Sequence, residues 1–247
     1  MAGHSHWANI AHKKGIADAK RGKVWSKLSR AIIIAARHGG GDPETNLKLR
    51  YAIDKARAVS MPKDNIERAI KRGTGELAGD AMEEWSYEGY GPGGVAIMVD
   101  VMSDNRNRTN GEVRKIFEKG GGNLGSPGCV AYLFERKGNF TVDAATIAED
   151  TLLGVALDAG ADDVTRQDSV FQIVCEPTSF EAVKSNLEKA GVKLNSSEIT
   201  KLPKTSVDLD PETGQKVFRL LEALDDHDDV QNVYSNANLT EEMMAGA

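Results

Sequence analysis

The densest set of chemically capable side chains in this sequence is basic. It comprises His4, His6, Trp7, His12, Lys13, Lys14, Lys20, Arg21, Lys23, Lys27, Arg30, Lys48, Arg50, Lys55, Arg57, Lys63, Arg68, Lys71 and Arg72. Ammonium and guanidinium groups in such numbers do one kind of chemistry well. They neutralise phosphates and release their counterions, independently of base sequence and with steep salt dependence. Residues 1–75 hold 16 Lys/Arg against 6 Asp/Glu and four of the five histidines, whereas residues 76–247 hold 15 against 31, and the whole chain carries −6. A front of about +10 on an acidic body describes a unit that meets a polyanion, carried by a body that repels one. Nucleic acid is the expected polyanion. Lys13, Lys14, Arg21, Lys23 and Lys27 are expected to dominate its binding.

Other constellations admit plainer readings. Trp7 could stack on a base or pack on the helical unit that follows it. His4, His6 and His12 lack an acidic or thiol neighbour to complete a coordination shell, so no metal is expected there. Asn105, Arg106, Asn107 and Arg108 stand where a strand hands over to a helix, and could grip phosphate or a partner carboxylate, or simply cap that helix. Asp225-Asp226-His227-Asp228-Asp229 reads as a solvated helix end whose side chains diverge rather than a cation site. Gly120-Gly121-Gly122-Asn123-Leu124-Gly125 follows a helix and precedes a strand, the reverse of the dinucleotide-binding context, so it reads as a helix end and a turn. No nucleophile elbow, phosphate-binding Gly-Lys loop or Cys/His pair is marked by context, so no enzyme activity and no cofactor are expected. Cys129 and Cys175 sit in apolar runs and read as buried, reduced thiols of a cytoplasmic protein. The longest apolar run, Ala31 to Ala36, is far too short to span a bilayer.

The elements that must position these groups follow from periodicity. Trp25, Leu28, Ile32 and Ala35 or Ala36 predict a helix from about residue 17 to His38, with Lys20, Lys23, Lys27, Arg30 and Arg37 open to water. Asp42-Pro43-Glu44 predicts the start of a second helix with Leu49, Ile53 and Ala56 inward. Met61-Pro62-Lys63-Asp64 starts a third, stopping at Gly73, with Arg68, Lys71 and Arg72 outward. Beyond Trp85, Val95, Ile97, Val99 and Val101 alternate as a half-buried strand. Thr109 with Glu112, Thr146 with Glu149 and Thr178 with Glu181 predict three capping boxes. Further strands are predicted near 129–135, 139–143, 169–176, 192–202 and 230–236, and a helix opens at Asp210-Pro211. The tail from Leu239 reads as loose. Strands and short helices in this succession favour split βαβ, ferredoxin-like units.

Longer stretches carry a resemblance. Met-Ala-Gly-His-Ser-His-Trp-Ala-Asn-Ile-Ala-His-Lys-Lys at the start, Asp-Ala-Lys-Arg-Gly-Lys from Asp18 and Gly-Gly-Gly-Asp-Pro-Glu at 39–44 closely resemble the YebC family. So do Met-Pro-Lys-Asp-Asn-Ile-Glu-Arg-Ala-Ile-Lys-Arg-Gly from Met61 and Asp-Asn-Arg-Asn-Arg-Thr from Asp104. His6 and Ala11 stand where family members often carry Lys. The resemblance implies an α+β protein with an N-terminal three-helix domain and two ferredoxin-like α/β sandwich domains. The expected bounds are 1–78, 79–135 with 206–238, and an inserted 136–205. It also implies a regulator of gene expression, since bacterial members are commonly labelled DNA-binding transcriptional regulators. Others, related to the mitochondrial activator of cytochrome oxidase synthesis, act in translation at ribosomes stalled on proline-rich sequence, which would make ribosomal RNA the partner. A monomer is expected.

Overall fold

The computed structural model describes residues 18–78, 82–167 and 169–245. The first helix, α1, runs from Asp18 to Gly39, close to its predicted span. It packs on α2 (Leu47–Ala58) and α3 (Lys63–Thr74) around Ile32, Ile33, Ala36, Leu49, Ile53, Ala56, Met61, Ile66 and Ala69. Helix α2 does not start at Asp42-Pro43-Glu44. Those residues form a turn in which the Glu44 N–H donates to Asp42 Oδ1. The start falls at Asn46, whose Oδ1 accepts from Leu49 N at 3.1 Å while its amide donates to the carbonyls of Ala35 and Gly40, both at 2.8 Å. One buried side chain therefore closes the end of α1 and opens α2. Helix α3 runs past Gly73 to a left-handed Gly75 (φ 84°). Gly73 is needed inside the helix, because a Cβ there would lie 2.4 Å from the Ile33 carbonyl oxygen.

The next sheet is built from β1 (Glu83–Tyr90), β2 (Ala96–Ser103), β3 (Asn123–Leu124) and β9 (Val230–Ser235), in the antiparallel order β3-β1-β2-β9. Helices α4 (Arg106–Lys119) and α7 (Pro211–Asp225) cover the face bearing Ile97, Val99 and Val101 with Val113, Phe117, Val217, Leu220, Leu221 and Leu224. The opposite face of β2 is covered too, Ala96 and Met98 meeting Val130 and Phe134. The strand is thus buried on both sides rather than one. The glycines between α4 and β3 make the expected helix end and turn, with Gly121 at φ 75°.

Between β3 and α7 the chain builds a second sandwich. It comprises β4 (Phe134–Asp143), α5 (Glu149–Asp158), β5 (Asp163–Gln167), β6 (Val170–Cys175), α6 (Phe180–Lys189) and β7 (Leu194–Pro203). Its order β5-β6-β4-β7 is the ferredoxin-like arrangement of a βαββαβ chain. Phe140, Phe171, Ile173, Leu152, Val183 and Leu187 fill its core. The two strands predicted near 129–135 and 139–143 are one strand, and residues 131–133 are a short 3-10 turn before it. Strand β5 carries no strand signal in the sequence, because an edge strand with Asp163, Thr165 and Arg166 lacks an apolar alternation. Cys175 is buried in this core, whereas Cys129 is only half buried.

None of the three predicted capping boxes forms. Helix α4 is capped by Asn105, four residues before Thr109, with Oδ1 accepting from Arg108 N at 3.0 Å. Thr146 donates its hydroxyl to the Asp143 carbonyl in the turn before α5, and Thr178 lies in a 3-10 turn before α6. The tail is not loose as far as it is described, to Ala245. Strand β10 (Ala237–Asn238) pairs in parallel with β8 (Val207–Asp208), and α8 (Glu241–Ala245) buries Met243 and Met244 against the first sandwich. Among the described residues no helix is long and apolar enough to cross a membrane. Asn46→Ala is expected to lower unfolding free energy by about 2 kcal/mol, from the lost cap and two orphaned carbonyls, as read by denaturant titration.

Candidate nucleic-acid interface

His4, His6, Trp7, His12, Lys13 and Lys14 lie outside the described residues. Lys20 and Arg21 belong to α1, but their side chains lie outside what is described. The rest of the basic set divides into groups that are committed inside the molecule and groups that are not.

Lys23, Lys27 and Arg30 recur at i, i+4 and i+7, one stripe of α1. Lys23 is exposed as expected, whereas Lys27 and Arg30 are largely turned away from water. The stripe lies against the turn between α7 and β9, where α7 ends and leaves its last carbonyls without helical partners. Lys23 Nζ donates to the Asp226 carbonyl at 3.1 Å, and Lys27 Nζ to Asp225 Oδ1 at 3.1 Å and to the Asp225 carbonyl. Arg30 donates to the Asp228 carbonyl and approaches Asp229 Oδ1 at 3.4 Å. The side chains of Lys27 and Arg30 are only 18% and 19% exposed. The acidic run set aside as a solvated helix end is therefore the counterpart of the predicted phosphate-binding stripe.

Asp229 anchors that turn from its other side. Its side chain is 4% exposed, and Oδ2 accepts from Arg108 Nη2 at 3.0 Å and from the Thr109 hydroxyl at 2.7 Å. Burial by itself would raise this carboxyl. Hydrogen bonds from Thr109, Arg108 and Ser103, with the Arg30 charge, outweigh it and hold Asp229 below the usual carboxylate range. Thr109 thus serves Asp229 instead of capping a helix. His227 completes the network, accepting from Asp229 N at Nδ1 (3.1 Å) and pairing with Glu112 through Nε2 at 2.9 Å. Donor atoms of Glu112, His227 and Asp229 lie within 4.8 Å of one another. With Asp229 held by two arginines and a threonine, and His227 by Glu112, the trio is a closed hydrogen-bonded network.

The 105–108 loop resolves residue by residue. Asn105 is the cap of α4, and Arg106 stacks over the Trp85 ring at 5.4 Å. Arg108 grips a carboxylate, but one of its own chain, with Asp104 as a second partner at 3.2 Å. Asn107 is exposed.

Helix α2 docks on the second sandwich. Lys55 pairs with Glu198 at 3.0 Å, and the Tyr51 hydroxyl meets Glu181 while its ring stands edge-on to Phe180, centroids 6.4 Å apart. Burial and Glu181 push the Tyr51 hydroxyl up to about 12. Nothing in the periodicity of α2 distinguishes these two from other exposed positions.

Lys48, Arg50, Arg57, Lys63, Arg68, Lys71 and Arg72 remain exposed. Arg57 and Lys63 reach Asp54 at 3.7 Å and Glu67 at 3.4 Å, solvated pairs of little strength. Arg68, Lys71 and Arg72, at i, i+3 and i+4, share the side of α3 opposite Ile66 and Ala69 and make no ion pair with a described residue.

Asp229→Asn is expected to destabilise the fold by about 3 kcal/mol near neutral pH, since it discharges a buried, paired carboxylate. A carboxyl depressed in the folded state gives stability that is present above its unfolded pKa and lost as pH falls through its folded one. Urea titrations from neutral to acid pH should therefore show a shallower acid loss in Asp229→Asn than in the parent.

The comparisons agree along the whole chain. A family described as "TACO1/YebC protein N-terminal domain" matches residues 5–76, and one described as "TACO1/YebC second and third domain" matches residues 82–237. A relative from Dictyoglomus turgidum named "Probable transcriptional regulatory protein" is 54% identical over 245 residues, spanning 99% of this chain and 98% of its own. One of the same description from Rhodopirellula baltica is 57% identical over 246 residues, spanning 99% of this chain and all (100%) of its own. The crystal structure of a conserved hypothetical protein from Aquifex aeolicus superposes with a TM-score of 0.85 at 53% identity, over 96% of this chain and 98% of that one. With both family descriptions matched in order and relatives above half identity end to end, the chain belongs to the TACO1/YebC family.

Proposed function

We propose that this chain is a non-enzymatic, DNA-binding regulator of transcription that works in the cytoplasm and contacts the phosphate backbone through its helical unit. The observation that carries this reading is the cationic surplus left after internal docking. Arg68, Lys71 and Arg72 occupy one exposed side of α3, with Lys48 and Arg50 on α2. The basic segment with Lys13 and Lys14 adds to them in sequence. Side chains of this type bind by counterion release and need no base edge, and the helices carry no clear set of Asn or Gln readers, so weak sequence selectivity follows. The acidic remainder of the chain repels phosphate and confines the contact to the helical unit. The relatives' names point the same way, toward transcriptional regulation.

Catalysis has little support among the described residues. The Cys175 thiol is pushed up to about 11 by burial and by Asp162 and Glu176, and burial raises Cys129, so neither is a poised nucleophile. His227 is held within its own network.

Reversing Arg68, Lys71 and Arg72 to Glu is expected to weaken duplex DNA binding by about 100-fold and to cut the slope of log affinity against log salt by about 2 to 3, with the helical circular dichroism unchanged. An unchanged slope in the folded variant removes α3 from the interface. Gradient sedimentation with ribosomes, run beside promoter binding at physiological salt, separates the partners. Selective, salt-resistant promoter binding supports the transcriptional reading. Stable ribosome comigration with only salt-labile DNA binding would replace it with ribosomal RNA and translation.

A further inference from the structure

We propose that the turn at residues 225–229 is a built-in competitor for nucleic acid, an acidic plug that occupies the stripe Lys23, Lys27 and Arg30 until phosphates displace it. The proposal rests on the nucleic-acid reading above and adds its regulation.

Three observations carry it. First, the plug presents what a phosphate strand presents: oxygens at successive positions, here the carbonyls of Asp225, Asp226 and Asp228 and the carboxylates of Asp225 and Asp229. They meet cations spread over about 10 Å of α1, seven residues at the helical rise. Second, the plug is held in shape without α1. Arg108 and Thr109 bind Asp229, His227 Nδ1 accepts from Asp229 N, and α7 leads into the turn. Releasing α1 therefore leaves the turn formed and able to rebind. Third, the contact is polar. Among the described residues the cores are separate, that of the helical unit drawing on residues 25–82 and that of the first sandwich on residues 85–244. A cleft of about 550 Å³ at this contact is lined by Lys23 and Arg30 of α1 together with Arg108, Asp226 and Asp228. An interface without shared apolar burial gives way to salt and to competing anions.

Displacement exchanges one set of anions for another. Phosphates take Lys23, Lys27 and Arg30, the carbonyls of the turn return to water, and Asp229 keeps Arg108 and Thr109. In the plugged protein these three cations add little to net counterion release, because each one that passes to a phosphate frees a counterion from the DNA while the vacated carboxylates of the turn draw cations back. Once the plug is weakened, they contribute to the salt slope in full.

The test uses the full chain and two triple neutralisations that remove equal charge. One is Asp225→Asn/Asp226→Asn/Asp228→Asn, which spares Asp229. The other is Glu149→Gln/Asp150→Asn/Asp158→Asn on the exposed side of α5, away from the stripe. Binding of a short DNA duplex is measured over a salt series. A competitor predicts that the turn variant binds about 10-fold tighter than the α5 variant at physiological salt, with a slope steeper by about 0.9 for each cation freed. Equal affinities and slopes in the two variants would overturn the proposal and leave only long-range charge. Failure of the parent and both variants to bind the duplex would overturn the nucleic-acid reading itself. Because Asn keeps the backbone carbonyls, a second readout is needed. Paired spin labels at Ser26 and Ala223 should move apart when duplex is added to the otherwise unchanged chain, and an unchanged separation with duplex bound would also overturn the plug.

Discussion

A carboxylate removed from water must be compensated on every side, and Asp229 is where this chain meets that requirement. Its two oxygens are divided between Arg30 of α1 and the Arg108–Thr109 pair of α4, while its own backbone follows α7 and leads into β9. One side chain thus joins the helical unit to the first sandwich and fixes how the α7–β9 turn is shaped. Loss of Arg108 or Thr109 would leave a buried charge short of a donor, which costs more than an exposed pair contributes. The surrounding choices follow from it. Thr109 is drawn away from a capping role, Asn105 caps instead, and His227 turns Nδ1 inward to accept from Asp229 N.

The two sandwiches are joined by the same physics at another place. Asp100 on the outer face of β2 receives Lys201 of β7 at 2.7 and 2.9 Å, and the ammonium lies 5.0 Å from the Tyr234 ring centroid. Burial and Asp100 raise the Tyr234 hydroxyl, keeping it neutral beside that pair. Nearby, Glu88 accepts the N–H groups of Gly128, Val130 and Ala131. Burial opposes its ionisation, yet those three donors hold it below the usual carboxylate range. The connection into β4 is therefore organised by one carboxylate before its apolar residues cover β2. Glu88 does for the connecting loop what Asp229 does for the α7–β9 turn.

How much of this was legible in sequence depended on the range of the interaction. The stripe of α1, the apolar face of α3 and the Asp210 cap of α7 are local, set by residues three or four apart, and the sequence displayed them. The capping boxes failed because another acceptor or a turn claimed the position: Asn105 already capped α4, and Asp229, 120 residues away, took the Thr109 hydroxyl. The half-buried reading of β2 failed because its second cover, Val130 and Phe134, arrives from the connection into the inserted sandwich. The basic set was visible as composition. Its division was not, because no local pattern says that Lys23, Lys27 and Arg30 meet residues 225–229 or that Lys55 meets Glu198. The signal that was available lay in two separate runs, a cationic stripe at helical spacing and a helix end with four aspartates, each solvated if read alone.

That division changes what net charge means for this molecule. The +10 of the first 75 residues treats every cation as available, yet Lys27 and Arg30 are four-fifths covered, and Arg68, Lys71 and Arg72 are not paired at all among the described residues. Charges satisfied by carbonyls and carboxylates of the same chain contribute to cohesion and attract distant phosphate only weakly, because their field is cancelled within a few ångströms. Cations with no partner act at the full screening length. Among the described residues the long-range attraction of the helical unit is therefore set chiefly by α2 and α3, and Lys27 and Arg30 of α1 add little while they meet the α7–β9 turn. Segregating charge along the sequence supplied both halves of an internal contact, and the fold decided which half of the basic segment it would use.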